Sequence, residues 1–284
     1  MEGIDGWVIT SKKEREVVDA MREKLQDLAG EVDETHNLKD SCLVRYARVR
    51  HLKVDAAVKA YRNSAKWRRE EKPLETAERY SPSEVLRKYR PGGFFGTSKE
   101  GCPVNYDRLG QADPTVLNFL RKTPPIGRDV SPTQQITDYE IAKAELLSQV
   151  FKECSEKAGK EIYRVFTVMD LGGLGRHHLS KNTIDLFGAI VSKLDAHYPM
   201  RFRRLVIVNA PYIFNLAWKL IKVFLHETTR AQIEVVYGPP GKVLLQHIDA
   251  DQLPKAYGGN LEVNGDPYCN PPIVPGGRIP KDFV

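Results

Sequence analysis

No apolar run in the 284-residue chain reaches the roughly 18 residues that a membrane-spanning helix needs. Cysteine is scarce: Cys42, Cys102, Cys154 and Cys269 are far apart and form no Cys-x-x-Cys. That excludes a disulfide scaffold and a zinc ribbon, and fits reduced thiols in a cytosolic protein. The first residues, Met1-Glu2-Gly3-Ile4, lack a basic segment followed by an apolar stretch. No secretory signal is therefore expected, and with glutamate at position 2 no myristoylation either. Catalytic signatures are missing as well. There is no Gly-x-Ser-x-Gly elbow and no phosphate-binding Gly-x-x-x-x-Gly-Lys-Ser/Thr loop. Asp170-Leu-Gly-Gly-Leu-Gly175 sits where a dinucleotide fingerprint would, but its third glycine is replaced by His178. A turn that redirects the chain is the better reading. The His177-His178 pair points two ways and has no ligand spacing around it, so no metal site is expected. The chain reads as a non-enzyme without a cofactor.

What is present is an ordinary globular composition, 41% hydrophobic and 28% charged, enough for a substantial core. The net charge of +6 is unevenly placed. Between Arg45 and Lys72 ten Lys or Arg stand against Asp55, Glu70 and Glu71. A basic stretch of this kind suits an anionic partner or a solvated helix face. Nucleic acid is not expected, because Tyr46, Tyr61 and Trp67 fit the apolar faces of helices rather than a stacking platform.

Helical spacing of Val17, Met21, Leu25 and Leu28, and again of Val54, Val58, Tyr61 and Ala65, predicts a small helical unit over 1–90. Pro91-Gly92-Gly93 breaks it. Phe94–Thr97 and Cys102–Asp107 then read as a hairpin, followed by a Pro/Gly-rich loop over 123–132 and a helix over 133–158. Strand candidates at Ile162–Met169, Leu205–Val208 and Ile233–Tyr237 alternate with helices at 182–197 and 212–225, and a short helix follows at 243–247. This spacing predicts an α/β fold with a mainly parallel sheet over 91–262. Residues 263–284, rich in Pro and Gly, read as an extended arm.

One segment is unusual. From Tyr212 to Leu225 only Asn215, Lys219 and Lys222 are polar, and they form a narrow stripe on an otherwise apolar helix. A surface helix normally shows the opposite balance. At about 21 Å it is too short for a bilayer core of about 30 Å. It is either buried on nearly all sides or has apolar partners on two faces at different times.

Several segments together resemble the CRAL-TRIO lipid-binding family. They are Cys42–Asp55, Asn63–Arg68, the Gly101-Cys-Pro-Val-Asn-Tyr-Asp107 hairpin, the Val168–Leu174 turn, Val208-Asn-Ala-Pro-Tyr-Ile-Phe214 and Leu253-Pro-Lys-Ala-Tyr-Gly-Gly259. They run in the family's order from about residue 40 to the end, and look nearest to the supernatant protein factor and tocopherol-associated branch, which includes retinal-binding members. The resemblance implies a helical N-terminal domain on an α/β pocket whose gate, here Tyr212–Leu225, swings at a membrane to admit one hydrophobic molecule. Members that hold phosphatidylinositol carry a glutamate where this chain has Met200 and a lysine where it has Gln232. A phosphatidylcholine-type serine is replaced by Val165, while its companion Thr167 remains. A retinoid, tocopherol, squalene-like or sterol-like ligand is therefore expected. Phosphatidylcholine or phosphatidylinositol transfer is the alternative, as is a lipid-sensing regulatory protein.

The pocket candidates are Tyr106, Val165, Thr167, Met169, Leu186, Ala189, Ile190, Val206, Val208, Phe214, Ala217, Leu220 and Ile221, although plain core packing explains many of them equally well. Trp218, Lys219, Lys222 and Phe224 are expected to face a transiently contacted, anionic membrane. A cytoplasmic monomer with peripheral membrane contact completes the expectation.

Overall fold

The computed structural model describes residues 9–31, 33, 36–79, 92–112 and 131–269. The expected boundary between residues 90 and 91, most of the 123–132 loop and the arm beyond residue 269 lie outside the described residues.

Four helices open the chain: α1 (Lys12–Lys24), α2 (Asp40–Val49), α3 (Val54–Glu71) and α4 (Pro73–Arg79). Helix α1 starts where Ser11 Oγ accepts the Glu14 N–H and the Glu14 carboxylate reaches back to the Thr10 N–H at 2.8 Å. This is close to a reciprocal capping box, which satisfies donors the helix itself cannot. Val18, Met21 and Leu25 then pack with Leu43, Ala57 and Tyr61 into one core, as their spacing predicts.

The basic stretch is not a free cationic face. Arg48 pairs with Glu14, Arg62 with Asp27, and Arg69 with Glu31. Arg68 joins Asp33 and Glu145, and Arg45 is buried with its guanidinium 3.6 Å from the centre of the Tyr163 ring. The acidic residues on α1 and the turn after it supply the counter-charges, and only folding brings the two together.

A five-stranded sheet follows, in the order β1 (Gly92–Thr97), β2 (Pro103–Asp107), β3 (Val165–Asp170), β4 (Phe202–Val208), β5 (Ile233–Val235). The β1–β2 pair is antiparallel and the other pairs are parallel, the expected α/β class. Strand β3 begins three residues later than the sequence pattern suggested, and β4 begins three residues earlier. Strand order runs steadily in one direction. With right-handed crossovers, that puts every connecting helix on the same face. Helices α5 (Pro132–Ala158), α6 (Lys181–His197) and α7 (Phe214–Ile221) accordingly share one side. The other face is sealed by Leu244, Ile248, Leu253 and Tyr257, packed on Val104, Tyr106, Phe166, Val168, Val206 and Val208.

Two polar joints fix the assembly. Glu145 of α5, fully buried, receives Arg68 of α3 at 2.8 Å and the Tyr198 hydroxyl at 2.5 Å. Asp170, at the end of β3, accepts from the Gly172 N–H, the Asn209 amide and the Tyr257 hydroxyl at 2.8, 3.0 and 3.1 Å. Asn209 adopts φ 52, a left-handed conformation that asparagine tolerates better than most residues. One buried carboxylate thus ties together the turn after β3, the residue that follows β4 and the segment that closes the far face.

Candidate functional site

Between the sheet and helices α5–α7 lies a cavity of about 300 Å³. Met169, Leu205 and Ile207 form its floor, Leu186, Phe187 and Ile190 of α6 one wall, and Ile136 and Tyr139 of α5 another. Its roof is α7 with the 3₁₀ turn Lys222–Phe224 that continues it.

The roof has two apolar faces. Phe214, Ala217, Trp218, Ile221 and Leu225 turn towards the cavity at helical spacing. Tyr212, Leu216, Leu220 and Val223 point outwards and are 92, 54, 42 and 70% exposed. Tyr237, 70% exposed, lies beside them with its hydroxyl 3.5 Å from the Asn215 side-chain oxygen. Exposed Lys219 and Lys222 flank this row.

The polar groups on the cavity wall are few. Asp107 of β2 sits 4.0 Å from Lys143 Nζ. Glu140 of α5 is buried. His178 receives the Gly175 N–H on Nδ1 at 3.0 Å; its proton therefore lies on Nε2, which donates to the Ala112 carbonyl at 2.8 Å. Asp195 of α6 accepts from the His226 N–H at 3.2 Å and from Thr229 Oγ1 at 3.5 Å. Burial pushes the Asp195 carboxyl above its ordinary pKa, and the His226 N–H opposes that shift.

Of the residues expected at the pocket, the structure gathers Met169, Leu186, Ile190, Phe214, Ala217 and Ile221 around the cavity. Val165 and Thr167 share the same sheet face but lie further along β3, where Val165 joins the core with Leu147 and Phe151. Tyr106, Val206 and Val208 lie on the opposite face. Register explains the correction: Thr167 pairs with Asn105 and Leu205, and Met169 with Asp107 and Ile207, so those partners share its side. Ala189 is exposed on the outer surface of α6, and Leu220 points to solvent one helical step away from Ile221. Trp218, expected to face outwards, lines the cavity, with its ring centre 6.0 Å from that of Phe214. Phe224 also turns inwards. The 3₁₀ winding after Ile221 advances about 120° per residue, so three residues return it to the face of Ile221. Lys219 and Lys222 are exposed.

Sequence reading missed Leu205, Ile207, Phe202, Asp107 and Asp195, and the contribution of α5. Strand β4 is apolar on both faces from Leu205 to Val208, so no alternation marks the inner residues. Asp195 did carry a signal, a carboxylate on the apolar stretch of α6. Met200 and Gln232 border a small recess with Arg164 and Thr228, which meets the cavity at Phe202 and Thr229. Among the described residues no helix is long and apolar enough to cross a membrane, and no cluster of three His, Cys, Asp or Glu side chains could hold a metal ion.

The CRAL/TRIO domain model matches residues 87–259. The Sec14 cytosolic factor of Schizosaccharomyces pombe is 31% identical over 251 residues, covering 87% of this chain and 82% of that protein. The phosphatidylinositol/phosphatidylcholine transfer protein SFH11 of Arabidopsis thaliana is 30% identical over 263 residues, covering 91% of this chain and 66% of that protein. The chain spans 31% of the length of the protein real-time of Anopheles gambiae and 48% of that of the SFH12 transfer protein of Arabidopsis thaliana, against 82% of the Sec14 factor. The crystal structure of Sfh5 matches with a TM-score of 0.64 at 18% identity, covering 84% of each chain, which shows a shared fold. These relatives carry Sec14 and SFH names, not specifically those of the supernatant-factor and tocopherol-associated branch.

Proposed function

Since this chain belongs to the CRAL/TRIO domain family, we propose that its cavity is a chamber for one hydrophobic molecule, which the protein binds and carries between membranes. The observation that carries this reading is the roof: a short helix apolar on both faces, closing an apolar cavity of about 300 Å³. That volume lies at the lower end of the range for small-molecule sites. Burying about 400 Å² of ligand at roughly 25 cal/mol per Å² contributes about 10 kcal/mol before association costs. The gate's outer row, Tyr212, Leu216, Leu220 and Val223, would enter the interface as the gate opens, with Lys219 and Lys222 at the level of lipid phosphates.

The ligand we favour is a neutral lipid with a small hydrogen-bond donor, a sterol-, tocopherol- or retinoid-like alcohol. Asp107, Glu140 and Asp195 on the wall accept hydrogen bonds readily and repel a phosphate. Met200 and Gln232, at the recess they share with Arg164, are neutral where members that hold phosphatidylinositol carry a glutamate and a lysine. A second reading, phospholipid transfer, is favoured by the printed name of the SFH11 relative and by Thr167 Oγ1 and Asn105 Oδ1. Both oxygens are buried without a hydrogen-bond partner among the described residues. Such groups are costly to leave unpaired. Organic extraction of the purified protein, read by mass spectrometry, distinguishes the two. One neutral lipid per chain supports the first reading and one phospholipid the second. If no lipid is found, and the protein takes up neither dehydroergosterol nor a fluorescent phosphatidylcholine, both are rejected.

A further inference from the structure

We propose that helix α6 carries a two-point latch for the far end of the gate: a notch at Gly188 that seats the Phe224 ring, and the Asp195 carboxylate, which holds the backbone at His226. The proposal rests on reading residues 212–225 as the gate of a ligand chamber, and it says what keeps that gate shut.

The notch is defined by what glycine omits. A Cβ at Gly188 would lie 2.7, 2.8 and 2.9 Å from Cε1, Cδ1 and Cζ of Phe224. Carbon atoms at van der Waals contact sit about 3.5–4.0 Å apart, so only glycine lets the ring lie flush on the helix. Gly188 is in the interior of α6, where glycine weakens a helix relative to alanine. A close approach accounts for a residue the helix itself does not favour.

The second point lies two turns further on. Gly188 and Asp195 are seven residues apart, hence on one helix face. The Asp195 carboxylate accepts the His226 N–H on Oδ2 at 3.2 Å and Thr229 Oγ1–H on Oδ1 at 3.5 Å. His226 is the N-cap of the short helix α8 (Glu227–Arg230), which follows the gate directly. Its N–H is thus held by a side chain of the neighbouring helix. Leu225 between the two points is extended, with ψ 133, and its side chain enters the cavity. The segment leading into the gate is tied by Asn209 to the Asp170 joint, while the far end is met by α6 and, more loosely, by His51, which lies 3.6 Å from the Glu227 carboxylate and 6.3 Å from the His226 ring.

The test is hydrogen–deuterium exchange of the full chain, which needs no ligand. Gly188→Ala should displace the Phe224 ring and speed exchange over residues 214–226 by roughly tenfold. The amides of α6 should not speed up, since alanine favours the helix. Adding Phe224→Leu to Gly188→Ala makes room for the methyl group and should restore most of the protection, a coupling that simple loss of stability would not give. Asp195→Ala should speed exchange at His226 and the residues around it. Unchanged exchange over 214–226 in both single variants would overturn the latch. So would exchange that rises equally in β3 and β4, because that is global loosening. Uptake of dehydroergosterol and of a fluorescent phosphatidylcholine, measured on the same proteins, separates the two ideas. If wild type takes up neither probe while Gly188→Ala still loosens 214–226, the latch stands and the chamber reading fails.

Discussion

Replacing Ala217 by Trp places an indole inside the cavity. Ala217 is 1% exposed and its side chain faces the cavity beneath α7. An aromatic of that size takes roughly 150–200 Å² of contact from the guest. At about 25 cal/mol per Å² the ceiling on lost binding is about 4–5 kcal/mol. A flexible guest recovers part of this by sliding, so a loss of about 1.5–3 kcal/mol, roughly 10- to 150-fold in Kd, is expected. Stability should move the other way. In a solid core the added bulk would cost about 1–3 kcal/mol. In a hollow one it fills space, and about 100 Å³ of void filled recovers about 2 kcal/mol. Urea unfolding of lipid-free protein and fluorescence titration with dehydroergosterol read the two signs. Weaker binding with equal or greater stability supports a chamber. Lower stability with unchanged binding would falsify it.

Other perturbations address other parts of the molecule. Reversing Lys219 and Lys222 to glutamate should slow delivery to phosphatidylserine-containing vesicles at least tenfold, since each cation contributes about 1 kcal/mol near an anionic leaflet. Delivery to neutral vesicles and equilibrium binding should be unchanged, and equal slowing on both vesicle types would refute the assignment. Asp170→Ala strands the Asn209 amide and the Tyr257 hydroxyl and should cost about 3 kcal/mol or more in urea unfolding; a loss under about 1 kcal/mol would mean the joint is not needed. The hydrogen bond from Arg48 lowers the Glu14 carboxyl from 4.5 to about 2 despite partial burial. Its contribution is therefore full above pH 4.5 and is lost as pH falls towards 2. Glu14→Gln should destabilise the protein by about 2 kcal/mol at neutral pH, and the gap to wild type should close across that window. Urea midpoints that stay parallel down to the acid end would contradict this.

The helical start, the hairpin, the alternation of strands and helices and the parallel sheet are all visible in local periodicity, because each element carries its own spacing of apolar residues. Residues 212–225 also stand out, as a stretch with too few polar residues for a surface helix. Its inner and outer faces were harder to tell apart. Leu220 and Ile221 are adjacent and equally apolar, and Phe224 turns inwards only because the helix tightens to a 3₁₀ turn after Ile221.

The chain alone thus determines the kind and order of its elements, the family segments and a helix greasy on two sides, since all of these are written in short-range pattern. Three-dimensional packing decided the rest. Strand β2, and β4 from Leu205 to Val208, are buried on both faces, so only pairing with β3 shows that Asn105, Asp107, Leu205 and Ile207, not Tyr106, Val206 and Val208, share the cavity side. The counter-ions of the basic stretch, the Asp170 joint and the Gly188 notch all join residues distant in the chain. Such meetings depend on where the fold brings segments together, which no local spacing encodes.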